Sequence, residues 1–199
     1  MSGSILTVNQ IQGTGLDSDE NLTINLNGSI IHYPGTVLQV KDAELTAAPS
    51  GTITTSAVNS YMDPGLSLNI TPTYSNSKML IEYTIFMASG PNHYQTKSRI
   101  MRDSTPVGIG TSEGSRGVAT SMINSYLTNS NTQYHINPHH NMFLDTPNTT
   151  SEITYKIQVA SYSSSVTWYV NRSHTWQDGG TQGYISIPVS TLKVTEIGA

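Results

Sequence analysis

The sequence predicts an all-β fold in which two antiparallel sheets pack face to face as a jelly-roll-like sandwich. Three observations predict it. Apolar and polar residues alternate over short stretches, the period of a strand with one buried face. Pro, Gly, Asn and Asp interrupt those stretches at intervals of about ten to fifteen residues. Ser, Thr and Asn number 26, 26 and 15 of 199 residues while charged residues make up 11%, which favours turns and hydroxyl-rich strands over long helices.

Taken in order, residues 1–33 differ from the rest. Leu6-Thr7-Val8-Asn9 and Leu22-Thr23-Ile24-Asn25-Leu26-Asn27 form a weak repeat separated by a Gly- and Asp-rich turn, and each piece has too little apolar surface to fold alone. We read 1–33 as a β-structured arm that becomes ordered on a neighbouring chain or a larger assembly, with Ile5, Leu6, Val8, Ile11, Leu22, Ile24 and Leu26 as its attachment residues. Tyr33-Pro34-Gly35 marks the boundary, and 34–199 form the head. Strands are expected at Thr36–Leu45, Thr52–Val58 and Gly65–Thr71. Lys78–Ala88 carries Met79, Ile81, Tyr83, Ile85 and Met87 on one face and Leu80 and Phe86 on the other, the pattern of a central strand. Lys97–Arg102, Gly117–Leu127 and Asn141–Asp145 follow, with an exposed loop at Ser112–Gly117. The clearest alternation is Ile153, Tyr155, Ile157, Val159 and then Val166, Trp168, Val170, read as a hairpin laid on a core. From Tyr184, Ile185, Ile187 and Val189 give way to Leu192 and Val194 on the other parity, which predicts a bulge near Pro188–Thr191.

Composition narrows the function. A net charge of -4 and a pI near 5.8 leave no overall basic surface for phosphates, so nucleic acid is not expected as a partner. Without cysteine, disulfides, thiolate catalysis and Cys-bound zinc are excluded. Met1–Gln10 lacks the pattern of a secretory leader and no apolar run is long enough to span a bilayer, so cytosolic synthesis without membrane insertion is expected. Five Asn-X-Ser/Thr sequons occur, at Asn21, Asn27, Asn69, Asn148 and Asn171; a composition this rich in all three residues yields about four by chance.

Three histidines cluster in His135-Ile136-Asn137-Pro138-His139-His140. On a loop, His135 with His139 or His140 could share a metal, or three copies could meet around one ion, but the spacing fits no zinc motif and exposed loop histidines are the simpler expectation. No nucleophile elbow, phosphate loop, dinucleotide fingerprint or His-Glu-X-X-His stretch occurs, and Asp145 and Glu152 are the only acids flanking a strand junction; neither an enzyme nor a cofactor is expected. Trp176 lies in a polar loop with His174, Gln177 and Asp178, side chains suited to stacking on a sugar ring and bonding its hydroxyls, though a subunit contact is the simpler expectation.

Six segments in order, Pro34–Val40, Ser77–Ile81, Arg102–Pro106, Phe143–Pro147, Thr154–Gln158 and Tyr169–Ser173, resemble a module of virion structural and fibre-like proteins of tailed bacteriophages, especially aquatic ones. The likeness spans about residues 34–197. It implies a virion protein assembled in the host cytoplasm, a homotrimer whose arm docks on other capsid or tail proteins and whose β-sandwich head aids attachment, with a host surface glycan as a further partner. It carries over no catalytic residue, and no long receptor-reaching shaft is present. The alternatives are a carbohydrate-binding module using the Trp176 loop and a polysaccharide-degrading tailspike component.

Overall fold

The computed structural model describes residues 25–26, 29–30, 34–52, 60–90, 95–124, 134–161, 166–175 and 186–199, the first two pairs by backbone alone. The chain divides into two units, Met1–Tyr33 and Pro34–Ala199. In the first, β1 (Asn25–Leu26) pairs antiparallel with β2 (Ser29–Ile30).

The second unit is a jelly-roll-like antiparallel sandwich, all-β among the described residues. It opens at the Pro34-Gly35 turn, where Gly35 has φ +90, a value glycine adopts without strain. β3 (Val37–Leu45) pairs with β13 (Ser190–Ile197), and β13 pairs with β6 (Lys78–Ser89). β4 (Ser50–Thr52) pairs with β12 (Thr167–Val170), which meets β6 beyond the end of β13. β12 and β13 therefore lie end to end along one edge of β6, and β10 (Asn137–Asp145) takes the other. The opposing sheet runs β5 (Ser67–Ile70), β11 (Ile153–Ser161), β7 (Thr96–Arg102), with β8 (Thr105–Val107) and β9 (Ser121–Ile123) sharing the last edge.

Alternation fixes what lies between the sheets. Met79, Ile81, Tyr83, Ile85 and Met87 of β6, with Trp168, Val170, Leu192 and Val194, pack against Leu66, Leu68, Ile70, Ile100, Ile153, Tyr155, Ile157 and Val159. Burying one such side chain is worth about 1.5–3 kcal/mol, so this layer supplies the main driving force. As expected, β6 is central. Its outward residues Leu80 and Phe86 are half-buried.

Several expectations need correction. β11 and β12 are not a hairpin: they belong to opposite sheets. Their inward residues were legible; their pairing was not, because alternation reports a face and is silent about a neighbour. The histidine segment is no loop, since β10 begins at Asn137. A strand was missed at Thr105–Val107, where Asp103 (φ 52) and Ser104 make a two-residue turn and Asp103 Oδ1 accepts the Thr154 amide at 2.9 Å. Gly117–Leu127 reduces to Ser121–Ile123 among the described residues. Of the expected strand Thr52–Val58, Thr52 belongs to the strand Ser50–Thr52 and the rest lies outside the described residues. The last strand starts at Ser190, with Ile187 and Val189 exposed before it, and its register shift falls at Glu196/Ile197 rather than near Pro188. Ser112–Gly117 is an exposed loop, as expected.

Candidate functional site

The register of four strands builds a regular grid on the outer face of the six-stranded sheet. Glu44, Thr191, Thr84 and His140 align across β3, β13, β6 and β10; two residues along, Asp42, Lys193, Glu82 and Met142 align; beyond them come Val40, Thr195, Leu80 and Leu144. Outward positions recur every second residue on each strand, which sets the rows. The first two rows, Met142 excepted, line an open trough of about 310 Å³.

Within it Lys193 Nζ sits 2.5 Å from Glu82 Oε2, and His140 Nδ1 lies 2.9 Å from Thr84 Oγ1. Three carboxylates face one ammonium, so the trough repels phosphate and suits a neutral hydroxyl-rich or a cationic ligand. The third row sets Val40, Leu80 and Leu144 beside the buried Thr195, with Val40 53% and Leu144 46% exposed. Sequence reasoning missed this surface. Each residue stands at a plain outward position, and only the placing of C-terminal β13 between β3 and β6 brings them together.

The clustered histidines separate. His139 and His140 are consecutive on β10 and point to opposite faces, so one ion cannot bind both. His140 is exposed on the trough side, and His135 is exposed ahead of the strand. His139 is buried in the core: its Nε2 lies 2.8 Å from Thr96 Oγ1, its Nδ1 3.3 Å from Ser98 Oγ, and Ser98 Oγ lies 2.8 Å from Tyr83 Oη. Burial pushes its pKa down to about 4, against an upward pull from the Ser121 backbone. Among the described residues no group of three or more His, Asp or Glu is placed to hold a metal.

Asp145 and Glu152 have separate hydrogen-bond partners. Asp145 accepts both Arg102 Nη1 contacts at 2.9 Å and the Tyr155 hydroxyl at 2.6 Å, which ties β10 to the opposite sheet; Glu152 accepts a bond from Asn69. Burial, first, and the Asp145 carboxylate raise the Tyr155 pKa above its ordinary value. Of the proposed glycan loop, His174 is half-buried edge-on to Tyr169, and burial with the nearby Arg172 lowers its pKa. Trp176, Gln177 and Asp178 lie outside the described residues, as do Ile5, Leu6, Val8, Ile11, Leu22 and Ile24; Leu26 is described by backbone alone, in β1.

No protein-family model and no curated protein matches the chain. Among solved structures it is similar to the infectious bursal disease virus VP2 subviral particle, with 13% identity and a TM-score of 0.40 over 90% of this chain and 42% of that one. It is similar also to the infectious bursal disease virus Gx strain structure, with 15% identity and a TM-score of 0.37 over 95% of this chain. The chain spans 42% of the length of these chains, and at such scores the likeness carries no argument about its role.

Proposed function

We propose that this is a non-enzymatic virion structural protein, a short homotrimeric fibre or decoration protein of a tailed phage. Residues 1–33 dock on a capsid or tail protein, and 34–199 face outward. The observation that carries the reading is that both sheets of the head are built from strands within residues 37–197, in a unit separate from 1–33. The described strands of both sheets thus lie outside residues 1–33, and we assign that segment to assembly. The sequence resemblance supports the same role. The described acids also favour structural work: Asp145 and Glu196 are buried in hydrogen bonds, and Glu82 is paired.

Deleting 1–33 tests this. The head is expected to stay folded and soluble and to fail to join particles, while the full chain sediments as a trimer. Full incorporation of the truncated protein, or a full-length monomer, would overturn the reading.

The trough favours a second role, binding of a hydroxyl-rich surface glycan by the same protein. On a glycan array, loss of binding in Lys193→Ala assigns it to the trough and loss in Trp176→Ala to the loop. No binding by the intact protein removes this role.

A further inference from the structure

We propose that β10 is an acid-operated latch on the sandwich, with His139 as its trigger. This goes beyond the assembly role and does not depend on it. Among the described residues β10 pairs by backbone with β6 alone. Its inward side chains cross to the other sheet: His139 to Thr96 and Ser98, Asn141 Nδ2 to the Thr120 carbonyl at 2.9 Å, Phe143 against Gly108, and Asp145 to Arg102 and Tyr155. An edge strand with one backbone partner is the cheapest element of a sheet to release, and here its release would open the core.

The surroundings of His139 suit a neutral imidazole only. β7 presents the hydroxyls of Thr96 and Ser98; Lys97 and Arg99 alternate to its other face. β6 presents Ile85 and Tyr83, whose hydroxyl burial holds neutral, at a pKa of about 12. β9 contributes the Ser121 backbone. On β10 itself, His140 faces outward and Asp145 is occupied by Arg102. Glu82, the acid on β6, pairs with Lys193 outside. Among these groups no carboxylate is placed to neutralise an imidazolium.

The sign follows. In the closed state His139 stays neutral down to about pH 4, whereas once exposed it protonates near its ordinary 6.5. The open state therefore binds more protons between those values, and opening becomes more favourable as pH falls through that window, on the order of 100-fold by pH 4.

Hydrogen exchange on the full chain, corrected for the intrinsic pH dependence, tests the latch. Between pH 7 and 4.5, protection of 137–145 is expected to fall by about tenfold or more while 153–161 and 190–197 stay protected. His139→Gln keeps a polar atom near Nε2 and removes the titration, so its protection should no longer fall with pH. If that variant does not fold, the wild-type imidazole resonances serve: His139 should titrate well below 6.5. Loss of protection in all three segments together would mean ordinary acid unfolding. That result, an unchanged pH response in His139→Gln, or a wild-type His139 titrating near 6.5, overturns the proposal.

Discussion

Asn171 offers the sharpest test of how the six-stranded sheet is held together. β12 ends at Val170 and β13 begins at Ser190 along the same edge of β6, and Asn171 fills the joint. It is fully buried, with φ 56. Its Nδ2 donates to the Leu45 carbonyl at 2.5 Å and the Ala47 carbonyl at 2.8 Å, and its Oδ1 accepts from Ser190 Oγ at 2.5 Å. Ser190 Oγ in turn accepts the Phe86 amide at 3.1 Å. In Asn171→Ala the Ser190 hydroxyl and the half-buried Leu45 carbonyl lose their partner, at about 1–2 kcal/mol each. Ala47 is exposed, so water replaces that bond. Alanine held at positive φ adds about 1 kcal/mol, for a total of about 3–5 kcal/mol, or about 6–20 °C in Tm for a chain of this size. Asn171→Gly relieves the backbone and should recover about 1 kcal/mol of that loss. Asn171→Asp sets a carboxylate against two carbonyl oxygens and should be the least stable of the three at pH 7. Urea denaturation at constant m-value reads the series. Losses below about 1 kcal/mol for both Ala and Gly would refute the idea that this amide secures the joint.

Two further predictions concern the closure by β10. Gly108 has φ +60, and a Cβ there would meet the Phe143 ring at 2.7 Å; Gly108→Ala should cost about 2–4 kcal/mol by chemical denaturation, from backbone strain plus overpacking, and Phe143→Leu in that background should restore part of it. Tyr155→Phe removes the hydroxyl donated to Asp145 and should cost about 1.5–3 kcal/mol, whereas Asp145→Ala also leaves Arg102 unpaired and should cost more in the same assay.

How much of this was legible in the sequence depends on whether a feature is local. Alternation at Ile153–Val159, Met79–Met87 and Trp168–Val170 identified the inward residues, because a strand shows its faces within a few residues. The Pro34-Gly35 turn was legible for the same reason. The sheet membership of β11 and β12 was not: Ser161 and Val166 are close in sequence, yet the two strands belong to different sheets, and closeness in sequence favours a hairpin reading. β10 was obscured by Pro138 and by histidines that read as loop residues. Pro138 fits an edge strand, and His139 is inside because Thr96 and Ser98, about 40 positions earlier, supply its partners. The trough needed β13 between β3 and β6, a placement no local signal reveals.

The abundance of hydroxyl residues is then more than surface wetting. Of the 13 buried polar or charged residues among those described, 8 are Ser or Thr, so much of this composition works inside the fold. Ser98, Thr96 and Ser190 bond Tyr83, His139 and Asn171, while the buried Glu196 recruits Thr73 and Gln39 from two other segments. Such bonds cross between strands that alternation alone cannot pair, and each buried donor left unmatched costs about 1–3 kcal/mol. They therefore penalise wrong registers that a purely aliphatic interior would tolerate. The segments that carry the phage resemblance contain several of these fasteners: Arg102, Asp145, Tyr155 and Asn171 stand in four of the six. In this chain those four residues close the sandwich, and the proposed role in a particle rests on residues 1–33 and the outer face.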